Sequence, residues 1–568
     1  MPVQDTSSIP RLSAHTLNYA PPPSAPHLAV YDSQTLDIDD DGFLQSSQRA
    51  GGPYLCSLPA VNITPDPSWT LTQEHEDISQ KTAEILTEAD ITWSDIQVTG
   101  RVARVDPEES IPTILVVVPD TTSSNWRDAT KAIFKELLDG HHPNASVEII
   151  TSILLHTPAP MPIHSDDAIF STWPQIRDTI LEELDTADWT GLECWRYGRS
   201  ANSLQNPPTI IVSVQLDSVR VFDEEMATIM QILARHDITD CAVLFMHDEF
   251  RHYALTHFQV PLARLEDFSG SAWPGMSIGI RDSSATSSTL GGVVEIQMDG
   301  DATWQRFHLS CFHGLYPHLP AQQALLTDIP GAKDALHRWQ WTAPTLSDSI
   351  VRPVLRVDQP SLFDVQDAIR RAAPDEEKQT ERQRFLDENR HHLGAVGAGS
   401  GLYRTRERGI NEESKPGMLD WALIEVVQER DGLNQAYEYS NEERTPFRTV
   451  CNTALPPNTP IHNTGRKTGG SSAPSSPIAQ VLISRARDMH GQPVTQRTYE
   501  HSVPNHSRPP FAIPGDAGSM VVAPDGSVLG MLVGGYVRKE TVYYSHIKDV
   551  LDDIKEVTGA VKVRLAQD

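Results

Sequence analysis

Basic side chains are scarce in this 568-residue chain: 46 Lys and Arg stand against 76 Asp and Glu, a formal net charge of −30. A field of that sign repels polyanions, which argues against nucleic acid and anionic membranes as partners and favours solubility. Cysteine is scarcer still. Cys56, Cys194, Cys241, Cys311 and Cys451 are odd in number, widely spaced and contain no Cys-x-x-Cys. That argues against a disulfide framework and against a structural zinc site. No stretch approaches the roughly 18 continuous apolar residues that cross a bilayer. Residues 1–31 lack the basic start and apolar run of a secretory leader. No glycine-rich phosphate loop interrupts the strands, and the histidines have no ligand spacing with nearby acids, so no cofactor and no metal are expected. These absences together predict a cytoplasmic (intracellular) protein in a reducing compartment.

The length exceeds one ordinary core and predicts about two to four domains. Residues 1–65 are rich in Pro, Ser and Asp, with Pro21-Pro22-Pro23 at the extreme, and read as a disordered tail. Residues 70–255 contain an internal duplication at a constant offset of 96: Trp93 falls on Trp189, Pro112-Thr113-Ile114 on Pro208-Thr209-Ile210, Ile133 on Ile229 and Leu137 on Leu233. Each copy, 70–160 and 165–255, alternates helical and strand periods in the order α-β-β-α-β. The pair reads as a duplicated α+β module, a structural platform through which a partner protein could bind. From about 262 to 568 the texture is all-β, with strands expected at 276–280, 291–297, 304–311, 393–396, 419–427, 447–451, 478–484, 494–502 and 542–545. A helical insertion interrupts it at about 360–393, and a helix closes the chain from about His546 to Val557.

The stretch Pro514-Gly515-Asp516-Ala517-Gly518-Ser519 reads as a tight turn leading into two apolar strands joined at Pro524-Asp525-Gly526. Its glycines let the backbone N–H groups of Gly515 and Ala517 point the same way, and two converging donors suit a developing oxyanion. His313 sits where the apolar strand Phe307 to Phe312 ends, and Asp420 opens the apolar run Trp421-Ala422-Leu423-Ile424. An acid there is costly to bury unless something pairs with it. A base, an acid that orients it and a nucleophile position in the order 313, 420, 517 is one of the arrangements that perform acyl transfer.

These strings resemble the trypsin-like (chymotrypsin-fold) serine peptidases of the fungal intracellular type. The turn resembles their Gly-Asp-Ser-Gly, His313 the end of their Thr-Ala-Ala-His strand, Asp420 their Asp-x-Ala-Leu, and Gly465-Arg466-Lys467-Thr468-Gly469 the hairpin that opens their second barrel. The resemblance covers roughly residues 262–568 and implies two antiparallel barrels with the site between them. It implies an all-β double-barrel domain following the duplicated module, and a protein or peptide substrate. His313, Asp420 and position 517 would be catalytic, with Gly515 and Ala517 forming the oxyanion hole. Phe511 falls at the family's pocket-floor position; with no carboxylate there, an apolar side chain is the expected preference. Val533, Gly534 and Gly535 would pair with an extended peptide.

Two departures stand out. Alanine at 517 carries no nucleophile, so as written the chain is a serine endopeptidase without its serine, or a pseudo-peptidase that binds peptides as a scaffold or sensor. A third possibility gives the function to the duplicated module and leaves the β-domain to dock partners. The family's activation sequence is also absent, so Asp516 is expected to find a partner other than a newly cut N-terminus.

Overall fold

The computed structural model describes residues 18–20, 41–46, 48–56, 58, 60–103, 110–119, 125–253, 268, 270–372, 375–410, 413–436, 445–453 and 455–567. The chain divides into two compact units, one of residues 1–159, 196–210 and 219–247, the other of 160–195, 211–218 and 248–568.

The first unit is built on a mixed sheet. Its order is Leu44–Gln45, Arg49–Gly52, Ser146–Thr151, Ile111–Val118, Asp95–Ala103 and Ala60–Ile63. The strands Ile111–Val118 and Ser146–Thr151 run parallel. The helix Trp126–Asp139 connects them, as a parallel pair requires a crossover. Trp126, Ile133 and Leu137 on that helix share a core with Leu86, Ile114, Val116, Val147 and Ile149. Three of these strands fall within residues 1–65, the segment expected to be a tail. The reason lies in pairing and charge. Arg49–Gly52 lies wholly buried against Ser146–Thr151. The fully buried Glu148 accepts hydrogen bonds from Arg49 Nε at 2.7 Å and Arg101 Nε at 2.9 Å. Residues 70–160 run helix, helix, strand, strand, helix, strand, helix, strand, and residues 165–255 run helix, strand, 3₁₀ turn, strand, helix, strand, strand, so the two ranges differ in their short elements.

The second unit contains an eight-stranded sheet of order Ser288–Thr289, Ser277–Ile280, Arg356–Asp358, His392–Gly399, Ala422–Val426, Gln305–Ser310, Gly292–Gln297 and Lys562–Leu565. A further run of paired strands follows Gly469–Pro474, Pro460–Gly465, Met520–Val522, Val528–Tyr536, Thr541–His546, Pro493–Pro504 and Gln480–Arg487. Among the described residues these pairings form open paths, and the closure of two separate barrels is not among them. One apolar core gathers Leu309, Trp421, Leu423, Met520, Ile547 and Ile554, which seats the closing helix Ile547–Thr558.

Most expected strands are present within a few residues. The run 447–451 is not: the strand there is Thr445–Pro446, and Val450 makes a single bridge to Val528. The expected helical insertion holds two helices, Leu362–Arg371 and Glu376–Asp387. The helix Ala332–Trp339 was not anticipated, although its buried face of Ala332, Ala335, Leu336 and Trp339 has helical spacing. No helix among the described residues is long and apolar enough to cross a membrane.

Candidate active site

The strand Gln305–Ser310 pairs antiparallel with Ala422–Val426, with Leu309 opposite Leu423 and Ser310 opposite Ala422. Two residues further along that register, Phe312 comes opposite Asp420, and His313 opens a short 3₁₀ turn, His313–Leu315. Strand pairing therefore brings the two side chains together across 107 positions of sequence. Asp420 Oδ1 accepts from the backbone N–H groups of Phe312 and His313, both at 2.9 Å, and Oδ2 lies 2.5 Å from His313 Nδ1.

His313 is 7% and Asp420 3% exposed. Burial opposes charge on the imidazole, but the adjacent carboxylate, helped by Cys311, raises His313 to about 10. Burial likewise opposes charge on Asp420, and the imidazolium outweighs it and holds the acid below its ordinary range. With Nδ1–H directed at the carboxylate, Nε2 is the outward nitrogen. It is buried and has no hydrogen-bond partner among the described residues.

The second half of the site is the turn at 515–518. Gly515 (φ 111°) and Gly518 (φ 93°) occupy backbone conformations that a β-carbon disfavours. The buried Asp516 carboxylate accepts from the N–H groups of Lys467 at 2.7 Å, Thr468 at 3.3 Å and Ile513 at 2.9 Å, so it does have another partner, the Gly465–Gly469 hairpin. Thr289 ties down two carbonyls of the turn: its hydroxyl donates to Gly515 O at 3.0 Å and its N–H to Ala517 O at 2.8 Å. The Asp516 carbonyl accepts from Ser519 N–H at 3.1 Å. Because a peptide unit is planar and trans, the N–H of Ala517 points the opposite way from that carbonyl. It meets the backbone carbonyl of Tyr253 at 3.4 Å, and the N–H of Gly515 donates to the same oxygen.

Tyr253 follows directly on a short strand. Phe250–His252 pairs antiparallel with Val528–Tyr536, with Phe250 opposite Tyr536, Arg251 opposite Gly535 and His252 opposite Gly534. The N–H of Tyr253 then donates to Val533 O at 3.1 Å. The expected peptide-pairing residues Val533, Gly534 and Gly535 are thus paired with the chain itself. The glycines permit the approach: a β-carbon at Gly534 would lie 2.2 Å from Arg251 O, and one at Gly535 would lie 2.8 Å from the Tyr253 hydroxyl.

The Tyr253 side chain is buried in an apolar cluster with Cys311, Phe511, Ala517 and Leu532. The His252 ring sits 4.5 Å from the His313 ring. Burial and the neighbouring His313 charge lower His252 to about 3, so it stays neutral. Consecutive Cα atoms are about 3.8 Å apart. Residues 252 and 253 therefore join the two halves: one touches the imidazole while the other fills the paired amides of the turn.

His313, Asp420, Gly515, Ala517, Phe511, Val533, Gly534 and Gly535 all fall in this one region. Sequence reading missed Thr289, His252 and Tyr253. It also missed that His252, His313 and Asp420 place possible ligand atoms within 4.8 Å of one another, as do Asp282, Asp358 and His391. Those groups join distant segments, so no local spacing marks them.

No family model matches the chain, and no curated protein sequence matches it. Among solved structures, the chain is similar to a glutamic acid specific serine protease that utilizes a histidine triad in substrate binding, at 9% identity and TM-score 0.24, over 52% of this chain and 100% of that one. It is similar to Nocardiopsis protease NAPase at 10% identity and TM-score 0.25, over 52% of this chain and 98% of that one. It is also similar to Thermobifida fusca protease A at 11% identity and TM-score 0.25, over 52% of this chain and 100% of that one.

Proposed function

We propose that the second unit carries the peptide cleft of an intracellular serine endopeptidase that lacks its nucleophile. His313 is the base, Asp420 holds its tautomer and stabilises its charge, and the N–H groups of Gly515 and Ala517 are the oxyanion donors. One observation carries the reading. A single peptide carbonyl, that of Tyr253, sits on both turn amides while the ring of the residue before it lies tilted against that of His313. Two backbone donors on one carbonyl oxygen, with an imidazole close to the preceding residue, support a site for acyl transfer. The five cysteines, buried and outside disulfides, are in keeping with a reducing compartment. The apolar wall around Phe511 supports a preference for apolar or aromatic side chains.

With alanine at 517 the cleft holds a peptide segment and does not cut it. The methyl group cannot form an acyl-enzyme, and a peptide-binding role as scaffold or sensor is the reading that Ala517 itself favours. Position 517 separates the two. We expect Ala517→Ser to react with a fluorophosphonate probe and to hydrolyse peptides with an aromatic residue before the cut. A folded variant that does neither removes the peptidase reading and leaves the binding role.

A further inference from the structure

The segment Phe250–Tyr253 does more than cross the cleft. It runs antiparallel to Val533–Gly535, anchors its last side chain in the apolar pocket and presents its last carbonyl to both oxyanion donors. Nothing in the sequence sets Phe250-Arg251-His252-Tyr253 apart from other polar-aromatic strings, yet its antiparallel register on Gly534 and Gly535 and the bond from Tyr253 N–H to Val533 O are those of an extended peptide paired with this strand. Upstream it is fixed firmly. The buried Asp248 carboxylate accepts from the N–H groups of Glu249, Arg538 and Lys539 at 3.0, 3.3 and 3.0 Å. A loop seated by chance would not combine an anchored start, a register and a filled pocket.

We propose that this chain is its own substrate: the bond between Tyr253 and the next residue in sequence, Ala254, is the one the cleft is built to cut. With alanine at 517 the same segment stays uncut and occupies the cleft against other peptides. The inference rests on the peptidase reading above and names the substrate of that site.

The balance of the step is simple. In an Ala517→Ser chain the new hydroxyl attacks the Tyr253 carbonyl carbon, and His313 Nε2 takes its proton. The C–N bond to Ala254 breaks as His313 returns that proton to the departing amine. Water, deprotonated by His313, then attacks the ester. The serine oxygen leaves and regains the proton, and Tyr253 ends as a carboxylate. No reactant beyond water is needed.

Intact-mass measurement and N-terminal sequencing of purified Ala517→Ser test this directly. We expect two fragments, with a new N-terminus at Ala254, forming at a rate independent of protein concentration over a hundred-fold range. A variant that reacts with a fluorophosphonate yet stays whole, or is cut elsewhere, overturns the inference and leaves the peptidase reading standing. A folded variant that neither reacts nor cuts removes that reading, and the inference with it. The chain as it stands supplies a second measurement, which requires no catalysis. A fluorescein-labelled Phe-Arg-His-Tyr peptide should bind the Tyr253→Ala chain at least ten-fold more tightly than the parent, because the pocket is vacated. Equal binding by the two overturns self-occupancy.

Discussion

Asp364, on the helix Leu362–Arg371, receives a hydrogen bond from the guanidinium of Arg466, beside the turn at 515–518. Both side chains are 3% exposed. The other carboxylate oxygen of Asp364 accepts from the hydroxyls of Ser277, Ser287 at 3.1 Å and Ser361 at 2.8 Å. A β-carbon at Gly515 would lie 2.7 Å from Arg466 Nη1, so the guanidinium packs directly on the turn. The helical segment read as an insertion is thereby part of the site's support.

Removing one partner of a buried ion pair strands the other charge. Asp364→Ala should cost about 3–5 kcal/mol of unfolding free energy and weaken peptide binding, measured by urea denaturation and fluorescence titration. Asp364→Leu with Arg466→Met should recover most of that stability. A single variant as stable as the parent would show that the pair does not brace the turn.

The His313–Asp420 pair makes opposite pH predictions for rate and stability. A base must be neutral, and the carboxylate raises His313, so the rate of an Ala517→Ser chain should climb from pH 6 to pH 9. A flat or falling profile would contradict that. Stability runs the other way. The raised histidine stabilises fully below its unfolded value near 6.5 and loses this as pH rises through its folded value. The lowered Asp420 stabilises above its unfolded value near 3.9 and loses this as pH falls. The pair's contribution is therefore greatest between about pH 4 and 6.5, and Asp420→Asn should abolish the dependence. In the Ala517→Ser background, Asp420→Asn should also slow turnover about 10⁴-fold.

Gly534 and Gly535 separate the segment from the sheet beneath it. A β-carbon at Gly534 meets only Arg251 and Phe250 within its nearest contacts, whereas one at Gly535 also comes 2.4 Å from Thr541 O on the neighbouring strand. Gly534→Ala should speed hydrogen exchange at the Tyr253 amide, which donates to Val533 O, and leave Tm within a few degrees of the parent. Gly535→Ala should lower Tm as well. Unchanged exchange in Gly534→Ala would mean that the close approach does not matter.

Lys539 is fully buried, with Glu193 Oε2 at 2.6 Å and the Ser213 hydroxyl at 2.6 Å, close to the acid that anchors the segment. Burial lowers Lys539 and raises Glu193 and Asp248, and the mutual attraction opposes each shift. Lys539→Met leaves two buried acids without their cation and should destabilise by about 3–5 kcal/mol in thermal or urea unfolding. Adding Glu193→Leu should return part of the loss. Full stability in the single variant would refute the assignment.

The meeting of His313 and Asp420 was close to legible from the chain alone. An apolar strand that ends in an imidazole and another that opens on a carboxylate need only pair antiparallel to come together, and their alternation states which faces are buried. The turn at 515–518 was legible because glycine is what its backbone angles demand. Ala332–Trp339 carries a helical period set amid strand texture. The tail reading failed at Arg49–Gly52 because scarcity of apolar residues does not reveal that a partner strand and a buried ion network will hold a short segment.

What the sequence determined by itself is the chemistry available: an imidazole, a carboxylate, the amides of a glycine turn and the methyl group of Ala517. Only the tertiary structure decided what lies among them. Strand pairing is made by backbone groups that nearly every residue carries alike, so no side-chain pattern announces that Phe250–His252 will choose Gly534 and Gly535. Which carbonyl comes to rest on the N–H groups of Gly515 and Ala517 is settled by the folding of distant segments onto one another.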